Sequence, residues 1–324
     1  MMASKNNVLI TKPREQLRLF GYEDYFYSFI NLYKKNKLPN VILLSGQKGI
    51  GKSTFAYHFI NYLLSQNEGD PYSIEDFSIN PNNSSFKLLK NFMHPNFFLL
   101  EKDESTDNVK IDQTRKLLSF LNKTTYSQDI KVVLFDDTEF LNINSSNALL
   151  KALEEPTYNT FFFIIDNDTS QIIDTIKSRC IPYKFHFNFL EKKNIFTNII
   201  TDYELDSKIS EFEKLFYSNS PGFVLRSMLA LKNSNLNIKN NFLKCIFFLT
   251  DQYKLKKDTE LLYIITLFIE NYYNELSLNN ISEINTYAYD KNKILYLIKY
   301  SNKFHLDPKN LIFSINKILK NETT

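Results

Sequence analysis

Tryptophan is absent from the 324 residues, cysteine occurs twice and glycine six times, and no apolar run is long enough to cross a bilayer. Cys180 and Cys245 cannot supply a disulfide framework or a four-ligand zinc site, and His58, His94, His186 and His305 are scattered. Zinc is therefore not expected, and a reducing compartment is. Met1 to Pro13 has no apolar core of signal-peptide length, so the reading is a cytoplasmic chain with no membrane partner. Charge of one sign is lacking too. Lys and Arg number 39 against 36 Asp and Glu, and a net of +3 excludes coating nucleic acid by charge alone. What is plentiful is apolar material, at 43%, enough for two or three packed domains.

Short all-apolar runs at Val41–Leu44, Phe97–Leu100, Val132–Phe135 and Phe161–Ile165 have strand length and the composition of strands buried on both faces. Between them, Lys52–Leu64, Asp112–Asn122 and Asn144–Glu154 repeat apolar residues every three or four positions, as helices do, and Tyr22–Lys35 is a further helix before the first strand. Strand alternating with helix predicts an α/β domain on a parallel sheet. The polar stretch from Gln66 to Met93, with Pro71 and Pro81, reads as an irregular insertion ending in a helix near Ser85–Met93. After Pro182 and a short extended piece, Tyr183–Phe187, proline and glycine nearly vanish and helices follow, with apolar faces at Phe242–Leu249, Leu261–Tyr273 and Ile294–Tyr300 that read as core. Expected domains are 1–187, a small helical one at 188–232 and a larger helical one at 233–324.

Three of the six glycines fall within Gly46-Gln47-Lys48-Gly49-Ile50-Gly51-Lys52-Ser53, which fits the phosphate-loop pattern G-x-x-x-x-G-K-[ST]. The pattern stands directly after a strand and directly before a helix. Gly46, Gly49 and Gly51 let backbone N–H groups wrap a phosphate, Lys52 reaches the β/γ-phosphates, and Ser53, followed by Thr54, opens the helix with a hydroxyl for Mg²⁺. A loop of this fold that no longer holds nucleotide is the alternative. The strand Lys131–Phe135 ends in Asp136-Asp137, and Asp136 is the metal candidate, with a solvated strand end as the bland alternative.

Three further stretches complete a pattern: Asn147-Ala148-Leu149-Leu150-Lys151-Ala152-Leu153-Glu154-Glu155-Pro156, the strand end Asp166-Asn167, and Ser178-Arg179-Cys180. With the phosphate loop, they resemble the clamp-loader branch of the AAA+ ATPases. The resemblance implies an AAA+ domain, a helical lid and an all-α collar. It implies that Arg179 is a finger reaching a neighbouring subunit's ATP site, a role suited to a planar guanidinium that lysine cannot match. A salt-bridged arginine at a helix end is the alternative. It also implies that Asn167 is a first sensor, an ordinary turn asparagine being the other reading, and that Leu19-Phe20-Gly21-Tyr22-Glu23 is the box near the adenine.

Two departures from a motor follow from the same resemblance. Motor members carry Glu after the metal-associated Asp, whereas Asp137 is one methylene shorter, and a misplacement of order 1 Å costs about a hundredfold in rate. The second-sensor arginine position is Gly222, with Arg226 a turn further on. ATP with Mg²⁺ is the only cofactor implied, its occupancy open and turnover expected to be weak or absent. Pro13-Arg14-Glu15 and His94-Pro95 narrow the resemblance to delta-prime-type subunits of bacterial DNA polymerase III. That implies tau/gamma-type and delta-type partners, with the sliding clamp and primer-template DNA reached through the assembly. An ATP-hydrolysing motor of tau/gamma type or another DNA-associated remodeller is the alternative. The stretch Gln252–Lys257 reads as a solvated helix face rather than a phosphate grip.

Overall fold

A computed structural model describes residues 11–101, 111–123, 130–136, 143–167, 173–205, 212–232, 234, 236, 241–304 and 306–321. The chain divides into two compact units, Met1–Ile199 and Ile200–Thr324.

In the first unit, β1 (Val41–Ser45), β2 (Phe97–Leu100), β3 (Lys131–Phe135), β4 (Thr160–Asp166) and β5 (Ile181–Lys184) form a parallel sheet in the order β2-β3-β4-β1-β5. Because side chains alternate along a strand, the apolar runs supply two cores at once. Ile42, Leu44, Val132, Leu134 and Phe163 face one side, against α1 (Glu23–Lys34) and α2 (Lys52–Ser65). Val41, Leu43, Val133, Phe135, Phe162 and Ile164 face the other, which packs on Leu117 and Leu121 of α4 (Ile111–Asn122), Leu149 and Leu153 of α5 (Ile143–Glu154) and Ile176 of α6 (Asp174–Lys177). The expected α/β domain on a parallel sheet is present.

Two segments differ from the sequence reading. The extended piece starts earlier than Tyr183, since β5 begins at Ile181 and pairs with β1 from Ile42 opposite Ile181 to Ser45 opposite Lys184. Pro182 sits inside that strand, which is tolerated because an edge strand bonds on one side only. The insertion is packed, with Tyr72, Phe77 and Ile79 buried in the first core, and it ends in α3 (Ser84–Lys90). Buried Asn83 caps α3, accepting from the Phe86 N–H at 2.6 Å and from Asn61 Nδ2 at 2.9 Å.

Helix α7 (Phe189–Asp202) reaches the boundary between the units. The second unit is helical: α8 (Pro221–Leu231), α9 (Phe242–Lys256), α10 (Thr259–Asn279), α11 (Ile284–Phe304) and α12 (Pro308–Asn321). From α9 onward each helix packs on the next, and α12 returns to α9. Leu249, Ile265, Phe268, Ile269, Ile294 and Ile315 are buried there. The stripe Ile294–Tyr300 is only half core. Tyr287, Ile294 and Ile298 lie inward, whereas Tyr296, Tyr300 and Phe304 form an exposed ladder on another face of α11, and Tyr289 is exposed as well.

Candidate functional site

The C-terminal edge of the sheet gathers most of the residues singled out by sequence. β1 ends at Ser45, the loop Gly46–Gly51 turns over it, and α2 starts at Lys52. The turn needs glycine where it is tightest. At Gly46 (φ 143°) an added Cβ would stand 2.7 Å from the Phe185 carbonyl oxygen, and at Gly51 (φ 108°) 3.2 Å from the Tyr22 ring. The loop is closed by Ile50 N–H donating to the Gln47 carbonyl at 3.2 Å, and the N-terminal, positive dipole end of α2 follows at its mouth.

Lys52 is only 3% exposed, and its Nζ donates to the carbonyls of Gly46 at 2.6 Å and Gln47 at 3.1 Å. Its ammonium is therefore held inside the loop. Ser53 Oγ donates to Asp136 Oδ1 at 3.2 Å, which joins the first turn of α2 to the end of β3. Thr54 follows on the same turn, half-buried. Asn167 comes directly after β4, and the register of Ser45 opposite Asp166 puts it level with Gly46. Lysine, hydroxyl, carboxylate and asparagine thus share one edge. Asp137 lies outside the described residues.

Tyr22 closes the back of the loop, a part the sequence only hinted at. It is buried, its hydroxyl donates to the Ile50 carbonyl at 3.0 Å, and its ring meets Phe55, Phe185 and Phe187 at centroid distances of 5.2, 5.0 and 5.0 Å. Burial, with a smaller contribution from Tyr25, pushes its phenol well above the ordinary value, so it stays a donor. Burial likewise raises Tyr57, one turn beyond Ser53 on α2, with the negative charges of Asp136 and Glu101 adding to the effect.

Arg179 belongs elsewhere. It precedes β5, so it stands at the N-terminal edge of the sheet, separated from the phosphate loop by the length of β1, about 16 Å at 3.3 Å per residue. Its Nε donates to Glu154 Oε1 at 2.8 Å, its Nη2 meets the same oxygen, and its Nη1 donates to the Thr175 carbonyl at 2.5 Å. The side chains are 26% and 48% exposed for Arg179 and Glu154, so the guanidinium is paired yet reaches solvent. Glu154 was legible only as one letter of the Leu-Glu-Glu-Pro block. Cys180 beside it is buried among the apolar residues of that face, which pushes its thiol up to about 12.

The donor set fits a polyphosphate with a divalent cation. Backbone N–H groups and Lys52 suit the anion, and Ser53 and Asp136 already share a hydrogen bond where a cation would take both oxygens. In the second unit, Ser220 caps α8 by accepting from Phe223 N–H at 3.3 Å, and Arg226 pairs with Glu260 at 2.5 Å.

A family model described as DNA polymerase III, delta subunit matches residues 22–188, just over half of the chain. The chain belongs to that family. This delta-family chain is 37% identical over 139 residues to DNA polymerase III subunit delta' of Pseudomonas aeruginosa, covering 43% of itself and 40% of that protein. Against subunit delta' of Escherichia coli it is 26% identical over 155 residues, covering 48% and 45%. Against subunit gamma of Buchnera aphidicola it is 26% identical over 238 residues, covering 71% and 62%. The match spans less than two thirds of the length of each of these relatives. The family is that of the clamp-loader AAA+ proteins, as the motifs implied. Among the described residues, no helix is long and apolar enough to cross a membrane.

Proposed function

We propose that this chain is a delta-prime-type, non-motor subunit of a DNA polymerase III clamp loader, which lends Arg179 to the ATP site of a neighbouring subunit. One observation carries the reading. Arg179 is set at the sheet edge opposite its own phosphate loop, too far to act there, with a guanidinium that reaches solvent. A planar fork delivered from outside stabilises charge developing on the γ-phosphate, which is worth a factor of about 10³–10⁵ in other phosphoryl-transfer systems. Glu154 would hold the fork ready in the free subunit and release it to the more highly charged triphosphate.

At its own loop, Lys52, Ser53 and Asp136 would hold Mg²⁺-ATP, and the bound nucleotide supplies the phosphoanhydride and the ion its Lewis acidity. Asn167 would contact the γ-phosphate as a sensor. Asp137 in place of the motors' glutamate orients water poorly, and Arg226 is engaged with Glu260 inside the second unit. The subunit is a structural and regulatory member, cytoplasmic and without zinc, and the sliding clamp and primed DNA are met through the assembly. Exposed Leu255, Leu278, Ile281 and Tyr289 support association of the helical unit with partner subunits as a collar.

The test is Arg179→Ala in a reconstituted loader containing tau/gamma and delta subunits. Single-turnover hydrolysis at the adjacent site is expected to fall by about 10³ while complex assembly is unchanged. An unaltered rate in the intact complex would overturn the finger role.

A further inference from the structure

A basic concavity lies within the second unit. A groove of about 700 Å³ is lined by Lys254 of α9 and by Lys309, Phe313, Asn316, Lys317 and Lys320 of α12. Among the described residues no carboxylate lines it, although Asp251 pairs with Lys254 at 2.8 Å on its α9 side. Residues 284–321 carry seven lysines against Asp290 and Asp307, a net of +5 in a chain whose total is +3. Charge that is balanced over the whole sequence is therefore concentrated at this end of it.

Folding does not account for the pattern. The face of α12 that packs inward is Leu311, Ile312, Ile315 and Leu319, all buried. Phe313 is on the other side and 72% exposed, so it adds nothing to that core. Lys309 sits in the first turn, after Pro308, where the helix dipole disfavours a cation. Lys317 and Lys320 at the other end have the favourable sign, but that does not explain an aromatic ring between two lysines. Lys309, Phe313 and Lys317 are each one turn apart, about 6 Å along the axis, and present cation, aromatic face and cation in a row.

We propose that this groove binds single-stranded nucleic acid, with one base stacked on Phe313 and the flanking phosphates on Lys309 and Lys317, Lys254 and Lys320 widening the positive track. An extended strand offers unpaired base faces and a continuous row of anions, the two features this face complements. A duplex hides its base faces, and a purely anionic chain such as polyglutamate has no flat or apolar group to lay on the ring. Lys254, in a stretch the sequence reads as a solvated helix face, is thereby drawn into a site. The proposal concerns the helical unit and is independent of the finger role of Arg179.

The experiment is fluorescence anisotropy of a labelled oligothymidylate with the full chain across a salt series. Binding is expected at low salt, with log K falling against log salt at a slope of about −3, as four neutralised phosphates require for single strands. Phe313→Ala is expected to weaken binding about tenfold with the slope unchanged, since a stacking contact is lost and no charge. Lys309→Gln with Lys317→Gln is expected to bring the slope to about −1.4. All three side chains are solvent-facing, so the fold is retained, which circular dichroism checks. Absence of low-salt binding overturns the proposal. So does binding that is indifferent to Phe313→Ala, or polyglutamate displacing the oligonucleotide at equal charge concentration, both of which mark a surface for acidic proteins instead.

Discussion

His58 is fully buried on α2, with Nδ1 3.1 Å from the Tyr72 hydroxyl, and burial holds its pKa at about 3. His94 is held at about 4, again chiefly by burial, which the nearby Glu68 charge only partly offsets. Its Nδ1 accepts from the Asn96 N–H at 3.2 Å, so Nε2 carries the proton and points it at Ser85 Oγ, which in turn donates to Glu68. The carboxylate grips the serine rather than the imidazole, which makes the trio a clasp for the insertion and not an activated nucleophile. Both histidines are neutral in the fold but take a proton near pH 6.5 when unfolded. As pH falls below about 6.5 the unfolded chain gains protons first, so stability drops, by up to about 1.4 kcal/mol per pH unit for each group, until the folded pKa values are reached. Urea midpoints measured from pH 7 to 5 should therefore decline, and His94→Gln should make the decline shallower. A flat profile would show that these imidazoles are not buried neutral. Their scattered positions in the sequence gave no sign of what they do, because burial is a property of the neighbours.

The elements carry most of what could be read in advance. All-apolar strand runs and three-to-four-residue spacing located β1 to β4, α1, α2, α4 and α5 because each strand is buried on both faces and each helix on one. The insertion was harder. A stretch rich in Asn, Ser and Asp looks like a loop, yet here those groups replace water with one another. Asn83 is the centre of that network, bonded to Phe86 N–H, Asn61 Nδ2 and, through its own Nδ2, the Asp70 carbonyl at 2.6 Å. Asn83→Ala removes a helix cap and strands buried partners, so a loss of about 2–4 kcal/mol is expected. Chemical denaturation measures it, and limited proteolysis should show new cleavage between residues 66 and 93. A loss below about 0.5 kcal/mol would mean that the apolar residues Tyr72, Phe77 and Ile79 alone hold the insertion. Within Ile294–Tyr300 the sequence reads core throughout, but Tyr296 and Tyr300 are exposed, because their spacing is as helical as that of buried Ile294 and Ile298 and periodicity does not say which face meets a neighbour.

For the whole molecule, the decisive comparison is between an intact phosphate loop and the geometry expected of a subunit that does not turn ATP over. Purified chain alone should show no Mg²⁺-dependent hydrolysis above background, and Lys52→Ala should leave that background where it is. Robust turnover abolished by Lys52→Ala would favour the motor reading that Lys52, Ser53 and Asp136 keep open. The phosphate loop, the parallel α/β sheet and the family follow from the sequence by itself, because each depends on residues close together in the chain: three glycines within six positions, apolar runs and a few short blocks. The opposite placement of Arg179 and the loop depended on strand order and direction, the pairing of Arg179 with Glu154 on two residues 25 apart meeting at one edge, and the lysine groove on α12 packing back against α9. Those are contacts between distant segments, and only the packing of the tertiary structure decides which distant segments meet.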